Sequence, residues 1–96
     1  MKAEVLSYAL QAQGVPVVSV EDESGEDGGC GWIYLENNHL ILIDRERVNL
    51  IRREVGDEKP EFLVAVEGFI GTYNLSVVIR DAYFMSINSR QVKVVA

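Results

Sequence analysis

The alternation of apolar and polar positions is clearest in residues 31–54, GWIYLENNHLILIDRERVNLIRRE, which hold the only Trp and the only His of the chain. Gly31–Glu36 reads as a strand, with Ile33 and Leu35 on one side and Trp32, Tyr34 and Glu36 on the other. Asn37-Asn38 follows, and Asn tolerates the positive φ of a two-residue type I′ hairpin turn. That turn would pair His39 with Glu36. On the second strand, Leu40 and Leu42 share one face, and His39, Ile41 and Ile43 share the other. Both faces are largely apolar, which suits a strand interior to a sheet or barrel. Leu42 is the expected core residue of this strand.

After Asp44 two readings compete. Val48, Ile51 and Val55 are spaced for a helix face, with Asp44 as N-cap and Gly56 past the end. Alternatively, Asp44–Arg47 is a tight turn and Val48–Glu54 returns beside Leu40–Ile43. The Val, Asn, Leu and Ile of the returning segment favour the strand, as does the tendency of sequential elements to be neighbours.

Along the rest of the chain, residues 3–13 predict a helix with Val5, Leu6, Ala9 and Leu10 on its apolar face, ended by Gly14 and Pro16. Val15–Glu21 reads as a strand. Residues 21–30, EDESGEDGGC, carry five acids and three Gly with no large apolar residue, and predict a solvated loop. Glu61–Glu67 alternates cleanly, with Phe62, Val64 and Val66 opposite Leu63 and Ala65. Gly68 and Gly71 predict a bulge or bend. Leu75–Arg80, Ala82–Ile87 and Gln91–Val95 read as three further strands. The expected fold is therefore α+β, mostly β: one N-terminal helix, then an antiparallel meander sheet or small barrel of about seven or eight short strands. Free edges are expected at Val15–Val20 and Gln91–Val95.

Composition narrows the class. A chain of 96 residues with 48% hydrophobic content suits one domain, with its own core and a flexible acidic loop. The net charge of −6 opposes binding to nucleic acid or to anionic membranes. One Cys excludes a disulfide framework. No apolar run approaches the roughly 20 residues of a membrane span, so the cytoplasm, of a cell or of a virus-infected host, is the expected compartment. The order of helix then meander is shared by several small barrels, Sm-like ones among them, but no motif residue carries a resemblance.

No catalytic set stands out. An EF-hand loop begun at Asp22 would place Asp27 where Gly is needed and Ile33 where Glu is needed. The Gly residues at 25–31 lack the Lys-Ser or Lys-Thr of a phosphate loop. Cys30 needs a base, and His39 is too far along the hairpin to serve it. No metal or cofactor is expected. The candidate binding residues are the aromatic pair Trp32 and Tyr34 and the basic group Arg45, Arg47, Arg52 and Arg53. Aromatic and Arg anchors dominate binding energy at protein interfaces. The expected function is a small non-enzymatic protein-binding or assembly module: an adaptor, a homo-oligomeric component or a phage-type accessory or inhibitor protein. The alternative is a small-ligand-binding β-barrel with an aromatic- and Arg-lined pocket.

Overall fold

The computed structural model describes residues 2–23, 29–54, 56, 59–68 and 70–95, with no account of the side chains of 90–95. Helix α1 (Ala3–Ala12) is followed by strands β1 (Val17–Glu23), β2 (Cys30–Leu35), β3 (His39–Asp44), β4 (Arg47–Arg52) and β5 (Glu61–Glu67), then helix α2 (Thr72–Val95). The strands form one antiparallel sheet in the order β1-β2-β3-β4-β5. Among the described residues the sheet is an open meander of five strands, so the meander alternative holds, while the barrel alternative and the count of seven or eight strands do not. The expected middle position of His39–Ile43 is borne out, because β3 lies third of the five.

The turns largely follow from residue chemistry. Gly14, at φ +84°, ends α1, and the N–H groups of Gln13 and Val15 both reach the Leu10 carbonyl at 3.0 Å. Arg45 and Glu46 make a two-residue link between paired Asp44 and Arg47, so the strand reading of the following segment holds. Asn37 and Asn38 both take φ +62°. Their hairpin differs from expectation by one residue, however: Leu35, not Glu36, pairs with His39, leaving a three-residue loop of Glu36, Asn37 and Asn38.

The largest correction concerns residues 72–95. The three strands expected at Leu75–Arg80, Ala82–Ile87 and Gln91–Val95 are one long helix. Its buried positions Leu75, Ser76, Ile79, Tyr83 and Ser86 recur at helical spacing. Apolar Tyr73, Val78, Phe84 and Met85 stay on its exposed side. The run thus looks apolar on every face, and its β-branched and aromatic residues imitate strands. With the C-terminal segment helical, the free edges of the sheet are β1 and β5, and the edge expected at Gln91–Val95 does not exist.

Both helices cover the same side of the sheet. Leu6, Leu10, Leu75, Ile79 and Tyr83 from the helices meet Ile33, Leu35, Ile41, Ile43, Val48 and Leu50 from the strands in one core. This inner face is the one that carries Ile41 and Ile43. Leu42 is only partly buried, and the expectation of a core Leu42 fails because the helices chose the other face. A bulge in β5 opposite Leu50 and Ile51 adds a second correction. It turns Phe62 away from Val64 and Val66, which pack against the core together with Leu63.

The N-terminus of α1 is held from a distance. The Asp22 carboxylate accepts from the N–H of Ala3 at 2.6 Å and of Glu4 at 3.1 Å. Two donors that an isolated helix leaves unpaired are thereby satisfied. Gly31 makes room for this junction: a Cβ there would lie 2.7 Å from the Glu21 carbonyl and 3.1 Å from Asp22. Part of the expected acidic loop is thus strand β1 with a structural task. Residues 24–28 of that loop lie outside the described residues.

Candidate functional site

Two regions combine the chemistry singled out in the sequence. The first is the outer face of the sheet. Cross-strand register places Tyr34, Leu40, Ile51 and Phe62 in one row across β2, β3, β4 and β5. The adjacent row runs Glu21, Trp32, Leu42, Asn49 and Ala65. A third row, Glu23, Cys30, Asp44, Arg47 and Glu67, is polar and charged. The face therefore grades from a charged end to an apolar end. Neither helix joins the rows. Ile51 is 4% exposed yet stands apart from the main core, with Leu40 and Phe62 as its cross-strand neighbours. Tyr34 is 42% exposed and Phe62 62%. Trp32 is partly buried, and its indole Nε1 has no hydrogen-bond acceptor among the described residues.

The four arginines do not gather. Arg45 and Arg47 lie at one end of β4; Arg52 and Arg53 lie at the other, five residues or roughly 17 Å away at about 3.4 Å per residue. Arg45 and Arg53 are exposed. Arg47 holds Glu67 at 3.0 Å on an exposed surface, a pair worth at most about 1 kcal/mol. Arg52 differs from the other three. It is 9% exposed and its guanidinium donates to Ser86 Oγ at 2.9 Å and to Glu54 at 3.1 Å.

Arg52 belongs to the second region, a pocket of about 260 Å³ where the ends of β3 and β4 meet α2. Its lining includes Asn37, Asn38, His39, Arg52, Glu54 and Ser86. His39 is 3% exposed. Its Nδ1 lies 2.7 Å from the Asn37 carbonyl, which can only accept, so Nδ1 carries the proton. Nε2 is then an acceptor, and Ser86 Oγ, 3.0 Å away, donates to it. The Ser86 oxygen accepts in turn from Arg52. Tyr83 crosses the His39 ring edge-to-face at 4.8 Å and donates to the Glu36 carbonyl, while Asn37 Nδ2 donates to the Tyr83 hydroxyl. Burial, joined by the nearby Arg52 charge, holds the His39 pKa below its ordinary value of 6.5, against hydrogen bonds that raise it. The imidazole is thus neutral at pH 7.

This network satisfies its own groups. Ser86 gives its proton to His39 and its lone pair to Arg52, and Arg52 is neutralised by Glu54. The sequence does not disclose it because His39 and Ser86 are 47 residues apart and the pattern around Ser86 reads as a strand. The signal available was a polar residue, Ser86, falling on the buried helical stripe.

Cys30 and His39 lie at opposite ends of the β2–β3 hairpin, as expected from the sequence. Burial, with help from the Asp44 carboxylate 3.5 Å away, raises the Cys30 pKa and keeps the thiol protonated. Among the described residues no group of His, Cys, Asp and Glu is arranged to hold a metal ion, and no helix is long and apolar enough to cross a membrane. Comparison with protein families, with curated proteins and with solved structures finds no match.

Proposed function

We propose that this protein is a small non-enzymatic protein-binding or assembly module, whose working surface is the apolar end of the outer sheet face. Its simplest form is self-association. The observation that carries the reading is the row Tyr34–Leu40–Ile51–Phe62, which neither helix covers. A folded chain of this size ordinarily buries such a row, and an exposed aromatic cluster beside a buried aliphatic centre suits an interface hot spot. The flanking β5 edge adds to this. Both edges carry a register irregularity, but the interior of β5 has neither Lys nor Pro and its acids, Glu61 and Glu67, stand only at its ends, whereas β1 is preceded by Pro16 and closes on three consecutive acids, Glu21, Asp22 and Glu23.

The acidic charge and lone thiol suit a cytoplasmic partner protein better than nucleic acid, and an adaptor or phage-type accessory role fits the same surface. A small-ligand pocket beside His39 and Arg52 is the second reading. It comes second because the polar groups there already satisfy one another. Light scattering tests the first reading. Wild-type protein should have a mass above that of one chain at tens of micromolar, and Phe62→Lys should return it to one chain with its circular dichroism unchanged. Association untouched by Phe62→Lys would remove the outer face from consideration.

A further inference from the structure

We infer that the His39–Ser86–Arg52 cluster is a pH-sensitive latch, which holds the C-terminal part of α2 on the sheet at neutral pH and lets it lift in mild acid. The inference is independent of the proposed outer-face function.

It rests first on where α2 is anchored. Its N-terminal part is clasped to α1: the Gln13 amide bonds Ser76, and Arg80 donates to Gln13 Oε1 at 2.9 Å. Leu75 and Ile79 are buried there as well. Farther along, the polar anchors on the described residues are Tyr83, at the Glu36–Asn37 loop, and Ser86, at His39 and Arg52, and the partly buried Ala82 and Ile87 pack against the core. Beyond Ser86, Ile87 is partly buried and Asn88 and Ser89 are exposed. Among the described side chains, residues 83–89 are thus held by Tyr83, Ser86 and Ile87, and the partner of Ser86, His39, titrates.

The chemistry of protonation is set by the neighbours. From β3 comes His39 itself, from β4 Arg52, from β5 Glu61, from the loop Glu36 and Asn37, and from α2 Ser86 and Tyr83; Glu54 faces the cluster after β4. Nδ1 is already occupied by its proton and the Asn37 carbonyl. A second proton can therefore enter only at Nε2, the atom that accepts from Ser86. Imidazolium Nε2 and Arg52 would then both donate to the one Ser86 oxygen, whose own proton must turn away. Two positive charges would converge on a buried hydroxyl. Glu54 is engaged with Arg52, and Glu61 is exposed to solvent, which screens it. Glu36, also exposed, is screened in the same way. Separation of Ser86 from His39 and Arg52 relieves the convergence and gives the imidazolium access to water.

The direction of the pH effect follows from linkage. The folded His39 pKa lies below the ordinary 6.5, so the lifted state binds the proton better than the latched one. The latch is complete above about pH 6.5. Between that value and the folded pKa, the opening equilibrium rises by up to about tenfold per pH unit as pH falls.

Amide hydrogen exchange, corrected for intrinsic rates, tests this between about pH 7.5 and 5.3, where ordinary carboxylates remain ionised. Protection of residues 83–89 should fall by up to about fifteenfold over this range, while α1 and β2–β4 keep theirs. His39→Gln, which can accept from Ser86 but does not titrate, should hold residues 83–89 constant. Nitrogen chemical shifts of the His39 ring in the wild-type protein provide a readout that needs no variant. They should report the Nδ1–H tautomer at neutral pH and titration below 6.5. An ordinary or raised His39 pKa, constant protection of residues 83–89, or an equal fall across the whole molecule would each overturn the latch.

Discussion

The two faces of the sheet are built from the same strands and similar residues, yet they meet different fates. The inner face places Ile33, Ile41, Leu50 and Ile43 beneath two helices, and its polar corner at the ends of β3 and β4 is closed by the hydrogen bonds of His39, Arg52 and Ser86. The outer face places Leu40, Leu42 and Ile51 beside Tyr34 and Phe62, and among the described residues the helix side chains of the core lie on the other face. Strand alternation supplies both faces automatically. What distinguishes them is which one the helices can seal. The difference teaches that apolar content alone does not identify a core; the inner residues hold the fold together, and the outer ones are available to something else.

The sharpest break of this comparison is a pair of truncations one residue apart. Ile41→Ala should cost about 2–5 kcal/mol, as for a fully buried aliphatic side chain. Leu42→Ala on the other face should cost less than half as much. Denaturant unfolding of both variants measures the gap, and equal costs would mean that the outer face is as much a core as the inner one.

A smaller effect is expected where the helices are fastened to the sheet. Asp22→Ala removes the acceptor of two α1 N–H groups and should cost about 0.5–2 kcal/mol by thermal or denaturant melting. If the variant melts like wild type, α1 does not depend on β1 for its cap.

Smallest of all should be the charged rim. Arg47→Ala should lie within about 0.5 kcal/mol of wild type, because the Arg47–Glu67 pair is exposed at both ends. A loss above 1.5 kcal/mol would show that the charged end of the outer face contributes to folding.

Much of the inner architecture could be read from local chemistry. The alternating run Glu61–Glu67 is β5 from end to end, Asp44–Arg47 closes a tight turn, and Gly14 ends α1 as its residue type suggests. These features depend on neighbours in sequence. The misreadings depend on partners far away or on a choice between two faces. Leu42 and Ile41 are equally apolar, and only the docking of α1 and α2 decides which is buried. Phe62 follows Val64 by alternation until the bulge turns it over. Residues 72–95 carry strand-like Val, Ile, Tyr and Phe, and only the recurrence of Leu75, Ile79 and Tyr83 marks the helix. Of the candidate site residues, Trp32 and Tyr34 do lie together on the outer face. The arginines adjacent in sequence are divided between the two ends of a strand, and Arg52 alone turns inward.

The central claim is that the outer face, not the inner, is the surface used for association. Methyl carbon–proton spectra of dilute and concentrated protein test it directly, because each face contributes its own Leu and Ile methyls. The account predicts concentration-dependent shifts at Leu40, Leu42 and Ile51, with Ile33, Ile41 and Leu50 unchanged. Shifts confined to the inner set, or none at any methyl up to the highest concentration, would contradict it.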